Sequence, residues 1–216
     1  MPPPFNPIRT VCVYCASSDR ADPLYRDAAA ALGTALAAAG IGIVYGGSSL
    51  GSMGRLANAA LQAGGKVTGV LPQFMDELEW GNRSLTELRV VADMHERKRV
   101  MLELSDAVVA LPGGCGTLEE LFEAITWKRL GLYFGPVVLV NVNRFYDPCL
   151  ELLSRCVDER FMDERHRAMW TVVPGPEAVV EALRTAPPWS REARSFAVAG
   201  QTLAGNRKPV GRGYVG

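Results

Sequence analysis

No stretch of this 216-residue sequence contains roughly 18 consecutive uncharged apolar residues, so we expect no transmembrane helix. The first ten residues, MPPPFNPIRT, lack the apolar centre of a signal peptide, and residues 1–7 are predicted to form a loose N-terminal arm. The 23 basic residues are balanced by 23 acidic ones. A broad nucleic-acid or membrane surface needs an excess of basic residues. We therefore expect neither nucleic acid nor a membrane among the partners.

The sequence contains only five cysteines and two histidines. An odd number of cysteines without a regular spacing favours free thiols in a reducing cytoplasm over disulfide bonds. Cys12 and Cys15 have the C-x-x-C spacing of redox and zinc sites. They lie in a strand-like segment, however, where this spacing places them on opposite faces. A redox or zinc role is the less favoured alternative, and we expect a cytoplasmic protein without a bound metal.

Strand-like and helix-like segments alternate along the chain. The strand-like segments are continuously apolar, which is typical of a parallel sheet covered on both faces. We predict an α/β fold, a Rossmann-like doubly wound parallel sheet with helices on both faces, in a single domain over residues 8–185. A tail rich in Pro, Gly, Arg and Ser follows over residues 186–216. Helices are predicted over residues 23–39, 52–63, 94–104, 117–130, 147–160 and from about 176, and an irregular loop over 73–87.

Two glycine-rich loops lie between a predicted strand and a predicted helix: YGGSSLGSMG at 45–54 and LPGGCGT at 111–117. Neither is a G-x-x-x-x-G-K-[ST] motif, which argues against a P-loop nucleotidase. Glycines let backbone N–H groups face a ligand without interference from a Cβ. A helix N-terminus adds unpaired N–H groups and the positive end of a dipole, which suits a phosphate. A tight turn with close helix–strand packing explains the same glycines equally well.

Two residues near these loops have both a structural and a functional explanation. Thr117-x-x-Glu120 is a capping box, which would account for Glu120 without any ligand. Arg97 falls on the same helical stripe as Met94 and Met101, where a core residue is expected. A buried guanidinium must meet an anion, because an unpaired buried charge is very costly. The alternatives are an internal salt bridge and a frayed first turn that leaves Arg97 in solvent.

Three segments resemble the Lonely guy family of cytokinin-activating phosphoribohydrolases: MHERK (94–98), PGGCGTLEE (112–120) and ITW (125–127). The family pattern P-G-G-x-G-T-x-x-E is complete at 112–120. The loop YGGSSLGSMG is similar to the family's Y-G-G-G-x-x-G-L-M-G but departs from it at Ser48 and Ser52, where altered local loop geometry is predicted. The resemblance extends over about residues 8–182.

The resemblance implies a homodimeric Rossmann-like enzyme that hydrolyses the N-glycosidic bond of nucleoside 5′-monophosphates without a cofactor. The substrates are N6-prenylated adenosine monophosphates and often AMP, and the products are a free adenine-type base and ribose 5-phosphate. Carried over by position, Arg97 and Glu120 are the catalytic pair. The substrate-binding residues carried over in the same way are Glu79, Lys98, Gly113, Gly114, Cys115, Gly116, Thr117, Glu119 and Thr126. The segment 73–83, which includes FMDELEWGN, is expected to shape the base pocket.

The residue types suit this reaction, because loss of the base leaves an oxocarbenium-like ribose. A carboxylate beside C1′ stabilises that cation and takes a proton from the attacking water, and we assign this role to Glu120. Arg97 either orients Glu120 and keeps it ionised or assists the departing base, and the sequence leaves both open. Many relatives carry the label lysine decarboxylase. Only four lysines are present here, and none lies in an evident pyridoxal phosphate setting.

Two other classes of function are open. Some Rossmann-like relatives carry a nucleotide-containing cofactor, such as molybdenum cofactor, without hydrolysing it. A pure carrier has no need of the Arg97 and Glu120 pair. A DNA-processing protein of similar fold is the second alternative, and zero net charge together with the lack of an aromatic and basic strip argues against it.

Overall fold

Seven parallel strands form one sheet in the computed structural model, which describes residues 8–78 and 80–198. The order across the sheet is β4-β3-β2-β1-β5-β6-β7, and every neighbouring pair is parallel. The predicted arm at 1–7, Glu79 and the predicted tail from residue 199 onward lie outside the described residues. The strands are β1 (Thr10–Tyr14), β2 (Gly42–Tyr45), β3 (Val67–Pro72), β4 (Glu87–Val91), β5 (Ala107–Ala110), β6 (Val137–Val140) and β7 (Thr171–Val173).

Helices cover both faces of this sheet, as predicted. Those of the first face, α1, α2 and α7, share one apolar cluster with the sheet, and those of the second face, α4, α5 and α6, share another. In the described part of the chain, none of the helices combines the length and apolar composition needed to cross a bilayer. The helices are α1 (Pro23–Ala38), α2 (Gly51–Gln62), α3 (Gln73–Glu77), α4 (Met94–Glu103), α5 (Cys115–Arg129), α6 (Asp147–Asp158) and α7 (Val179–Thr185).

The first strand shows how the sequence pattern builds the two faces. Val11, Val13 and Cys15 belong to the first cluster, whereas Cys12 and Tyr14 belong to the second. Successive side chains of a strand point to opposite faces, so an apolar residue at every position supplies both cores. Cys12 and Cys15 are buried on opposite faces, which confirms the predicted separation of the two thiols.

The order in which strands are added to the sheet reverses at β1, between β4 and β5. From β1 the chain adds β2, β3 and β4 on one side, and it then returns to place β5 on the other side of β1. In such sheets the loops at the carboxyl ends of the two central strands lead away from each other and leave a crevice between them. The loop after β1 and the loop Leu111–Gly114 after β5 border this crevice.

Three elements differ from the sequence prediction. The segment predicted as a loop over 73–87 contains the helix α3, which is only five residues long and therefore shows no apolar period. The three-residue strand β7 was not predicted, because so short an edge strand has no distinguishing pattern. The helix α5 begins at Cys115, two residues before the predicted start at Thr117.

The core continues past the predicted domain boundary at residue 185. Trp189, Ala193 and Phe196 are buried in the second apolar cluster. The indole N–H of Trp189 donates to the carbonyl oxygen of Lys128, near the end of α5, at 2.8 Å. The described part of the predicted tail therefore packs against the domain.

Candidate active site

A cavity of about 480 Å³ opens at the carboxyl ends of β1, β2, β3 and β5. Its walls come from the loops that follow these strands and from the first turns of α4 and α5. Because β5 and β2 lie on opposite sides of β1, the start of α5 and the glycine-rich loop 46–54 face each other across the crevice. Both glycine-rich loops of the sequence therefore border one cavity.

The beginning of α5 provides backbone donors to this cavity. The first residues of a helix have N–H groups without an intrahelical acceptor. Gly114 precedes the helix, and within the described residues no side chain caps these groups. The predicted capping box of Thr117 and Glu120 is therefore wrong, because α5 starts early enough to place both residues inside the helix.

The glycines of the PGGCGT loop have two different functions. A Cβ on Gly113 would lie 2.2 Å from the Thr117 hydroxyl oxygen, so this glycine permits close packing of the loop on α5. A Cβ on Gly114 or Gly116 would have no contact within 4 Å apart from chain neighbours and backbone of the same helix. Both of these glycines line the cavity. Their missing side chains leave space next to the free N–H groups, which is the arrangement that an anion site requires.

Arg97 is buried with its guanidinium turned towards the sheet and is 6% exposed. Its Nε donates to the carbonyl oxygen of Val70 and its Nη2 to that of Gly46, both at 3.1 Å. A Cβ on Gly46 would lie only 2.0 Å from Nη2, so the glycine makes room for the guanidinium. The helix α4 begins at Met94 and holds Arg97 in a regular turn, which excludes the frayed alternative.

Glu120 is the anion that Arg97 meets. Its carboxylate oxygen lies 3.8 Å from Nη1 of Arg97, and Glu120 is 4% exposed. Burial raises the pKa of the Glu120 carboxyl to about 7, although the positive charge of Arg97 acts in the opposite direction. Both residues line the cavity, so the internal ion pair and the predicted catalytic pair are the same feature.

The pH dependence of stability tests this environment of Glu120. A carboxyl with a pKa near 4.5 when unfolded and about 7 when folded contributes stability fully below pH 4.5 and loses it as the pH rises to 7. We expect the free energy of unfolding of the wild type, relative to that of Glu120→Gln, to fall on the order of 3 kcal/mol between pH 4.5 and 8. Urea unfolding at several pH values measures this difference. A difference independent of pH would contradict the assignment.

Lys98 and Glu119 are joined beside the catalytic pair. The Lys98 ammonium is buried and pairs with the Glu119 carboxylate and, at 3.3 Å, with Glu123. Glu119 lines the cavity and its side chain is 55% exposed, so it is accessible to a ligand. Lys98 is not part of the cavity wall, and the contacts it makes orient Glu119. A direct role of Lys98 in substrate binding stays a prediction.

The other predicted site residues differ in burial and in whether they line the cavity. Cys115 is exposed at the first position of α5, and Thr117 is buried and lines the cavity. Thr126 is exposed on α5, about 13 Å along the helix axis from Thr117, and is not part of the cavity wall. Glu79 lies outside the described residues. The roles of Glu79 and Thr126 stay predictions.

Two groups of cavity residues were predicted from the sequence only in part or not at all. Ser17 and Ser18 come from the loop after β1, and the position of this loop at the carboxyl end of a central strand was the signal for them. The second group is an apolar wall, of which only the segment 73–83, with Met75 and Trp80, was expected to shape the base pocket. Its members are Leu50, Met53, Leu71, Met75, Trp80 and Met94.

Metal ligands are not grouped in this region. Among residues 8–78 and 80–198, no three His, Cys, Asp or Glu side chains are arranged to hold a metal ion. The groups available for chemistry in the cavity are the free amides of α5, the Arg97 and Glu120 pair, Glu119 and the serine hydroxyls.

Two comparisons, one with protein families and one with solved structures, identify what this chain is similar to. In the first, the family described as possible lysine decarboxylase matches residues 53–183. In the second, the molybdenum cofactor carrier protein of Chlamydomonas reinhardtii is similar in structure, with a TM-score of 0.64, 21% sequence identity and coverage of 82% of this chain and 97% of that chain. At this identity the likeness concerns the fold alone.

Sequence relatives give a more specific result. The cytokinin riboside 5′-monophosphate phosphoribohydrolase LOG of Oryza sativa subsp. japonica is 44% identical over 170 residues, which cover 79% of this chain and 69% of that protein. The cytokinin riboside 5′-monophosphate phosphoribohydrolase of Rhodococcoides fascians is 42% identical over 178 residues, which cover 82% of this chain and 90% of that protein. At these identities and coverages the chain belongs to the Lonely guy family of phosphoribohydrolases, and both its glycine-rich loops and its Arg97 and Glu120 pair lie at one cavity.

Proposed function

We propose that this protein hydrolyses the N-glycosidic bond of adenosine 5′-monophosphates that carry an apolar N6 substituent, and of AMP itself. The products are the free base and ribose 5-phosphate. The observation that carries this proposal is the position of a buried glutamate, paired with an arginine, in the same cavity as an uncapped helix N-terminus.

Binding of the 5′-phosphate at the start of α5 would position the sugar. Free amides, the positive end of the helix dipole and the open space at Gly114 and Gly116 all favour an anion there. Glu120 lies on the same helix, about 7.5 Å along its axis from the amide of Cys115. A single nucleotide can therefore bind the helix N-terminus through its phosphate and face Glu120 with its ribose. Binding energy at the phosphate is then used to orient C1′.

Glu120 performs two tasks in the proposed reaction. As the bond between C1′ and the base breaks, positive charge develops on the ribose, and a nearby carboxylate stabilises it. The same carboxylate accepts a proton from the water that attacks C1′. The adenine nitrogen that receives the electron pair of the broken bond takes a proton from solvent, so that the base leaves as the neutral product. A pKa of about 7 suits a general base that works near neutral pH, since the ionised form is available and is still basic enough to accept a proton.

Arg97 is proposed to orient Glu120. Two of its N–H groups are already used by the carbonyl oxygens of Val70 and Gly46, which fix the guanidinium in the core. The remaining Nη1 faces Glu120 at 3.8 Å and keeps part of the carboxyl population ionised. Of the two roles that the sequence left open, this geometry favours orientation over assistance to the departing base.

The apolar wall is the proposed site of the adenine base and its N6 substituent. Leu50, Met53, Met75, Trp80 and Met94 line the cavity and come from segments other than α5. Methionine and aromatic side chains adapt to flat rings and to branched hydrocarbon groups. Burial of each additional CH₂ group of a prenyl chain stabilises the complex by roughly 0.8 kcal/mol.

The proposal also includes association into a dimer and a location in the cytoplasm. We infer from the family resemblance that two copies of the chain associate, and light scattering behind a size-exclusion column measures the mass directly. The five cysteines are free thiols, which agrees with a reducing cytoplasm.

A molybdenum cofactor carrier is the alternative with the same fold. A carrier would bind its ligand and release it unchanged, whereas the proposed enzyme releases free base from a nucleotide. Mixing the protein with AMP and separating the products distinguishes the two.

The importance of the phosphate is tested by removing it from the substrate. We expect kcat/KM for adenosine to be at least about 100-fold lower than for AMP, because hydrogen bonds to a charged group contribute roughly 1.5–3 kcal/mol each. Chromatographic measurement of adenine release gives both values.

A variant with a smaller anion site is the second test. Gly116→Ala places a methyl group where the protein has open space, so the fold is unaffected while the anion site becomes smaller. The ratio between AMP and adenosine should decrease in this variant, with an unchanged melting temperature. Equal rates for AMP and adenosine in the wild type would refute the anion site.

A further inference from the structure

The turn that carries Trp80 is attached to the glycine-rich loop 46–54. Ser48 and Gly81 form an antiparallel β-bridge outside the main sheet. The amide of Asn82 donates to the carbonyl oxygen of Gly47 at 2.8 Å. These two contacts join the two segments that supply Leu50 and Trp80 to the apolar wall.

The side chain of Asn82 fixes the shape of this turn. Asn82 is 6% exposed, and its Oδ1 accepts a hydrogen bond from the amide of Ser84 at 3.0 Å. Its side chain also faces the hydroxyl of Tyr45, a fully buried residue at the end of β2. The Tyr45 hydroxyl in turn donates to the carbonyl oxygen of Ser48 at 3.1 Å. The turn is thereby connected through polar groups to the core of the sheet.

Further contacts bind the turn to α3. The amide of Trp80 donates to the carbonyl oxygen of Met75 at 3.2 Å, and Arg83 pairs with Asp76 at 2.6 Å. The side chain of Trp80 is half exposed, so one side of it faces solvent and is not held by protein packing. Its position in the cavity therefore depends on the residues that hold the turn.

We propose that Asn82 is a positioning residue that holds Trp80 against the apolar wall and so sets the preference for N6-substituted adenylates over AMP. This inference rests on the proposed function. Asn82 does not line the cavity, and it acts on the substrate through Trp80. Trp80 is the residue that contacts the N6 substituent.

A double-mutant cycle tests the connection between the two residues. The measured quantity is the ratio of kcat/KM for N6-isopentenyl-AMP to kcat/KM for AMP. We expect Trp80→Ala and Asn82→Ala each to lower this ratio about tenfold, and the double variant to lower it about tenfold as well, because both substitutions remove the same contact. Most of the change should be in KM. Asn58→Ala, an exposed asparagine of α2, is the matched control and should keep the wild-type ratio.

Two results would overturn the proposal: an unchanged ratio in Asn82→Ala, and a roughly hundredfold decrease in the double variant, which would mean that the two residues act independently. If Asn82→Ala does not fold, Asn82→Leu keeps the branched side-chain shape, removes the hydrogen bond to the Ser84 amide and has the same expected outcome.

Hydrogen exchange separates this inference from the proposed function. Asn82→Ala should increase the exchange rate of the Ser84 amide, whose acceptor it removes, while Trp80→Ala should not. If no nucleotide released base but this exchange pattern held, the proposed function would fail and the positioning of the turn would stand. If base were released and the Ser84 amide exchanged alike in all variants, the positioning role would fail alone.

Discussion

Replacement of Glu120 by glutamine is expected to lower kcat for base release from AMP at least about 100-fold. Glutamine keeps the size and shape of the side chain but can neither accept a proton from water nor place a negative charge beside the ribose. KM should change little, because the phosphate and base contacts come from other residues. Steady-state release of adenine, followed chromatographically at pH 8, measures the effect.

Glu151→Gln is the matched control for this substitution. Glu151 is exposed on α6, so the same change of chemical group there should leave turnover at the wild-type level. Wild-type turnover in Glu120→Gln would mean that Glu120 only compensates the charge of Arg97, and the proposed mechanism would then be wrong.

Substitution Arg97→Ala is expected to reduce both activity and stability. It removes two hydrogen bonds to backbone carbonyl groups and leaves the Glu120 carboxylate buried without its partner. Loss of one partner of a buried ion pair costs about 3 kcal/mol. The loss should be larger at pH 8 than at pH 6, because at pH 6 the carboxyl can bind a proton instead. Activity should decrease at least about 100-fold, because Glu120 is no longer oriented.

The double variant Arg97→Ala/Glu120→Gln distinguishes the electrostatic effect from loss of packing. Without a buried carboxylate, it should be more stable than Arg97→Ala at pH 8, and its stability relative to Glu120→Gln should be the same at pH 6 and pH 8, while activity stays low. Arg184→Ala, at an exposed position of α7, is the control for both assays. A loss of stability in Arg97→Ala that is equal at pH 6 and pH 8 would show that packing accounts for the effect.

The sequence predicts most of the fold because apolar strands and helix start signals are local. Asp22 and Pro23 begin α1 as predicted, with Asp22 accepting a hydrogen bond from the Leu24 amide at 2.8 Å. The same local method failed at α5, where an early helix start changed Glu120 from a capping residue into a buried one. A shift of two residues at a helix end is beyond the precision of sequence patterns, yet it decides the role of this side chain.

The site was only partly predictable, because its contacts join distant segments of the chain. A helical stripe indicated that Arg97 is buried, but its acceptors at Gly46 and Val70 lie 51 and 27 residues away. The glycines at 113 and 116 look alike in the sequence. Only the surroundings of each reveal that the first allows packing and the second leaves open space. The segment 73–83 was expected to shape the base pocket, but the place of Trp80 in the cavity wall required the structure, since the segment shows no periodic pattern.

Because strands β2 to β4 are added on one side of β1 and β5 on the other, the two functions of the cavity are encoded by successive parts of the sequence. The loops that form the apolar wall precede Arg97, and the segment proposed to bind phosphate and to carry Glu120 follows it. Selection can thus exchange residues in the earlier part and alter which bases are accepted, while the hydrolytic part is inherited unchanged. Gly46 and Val70 are exceptions, because they belong to the earlier part and hold the guanidinium on which the later part depends.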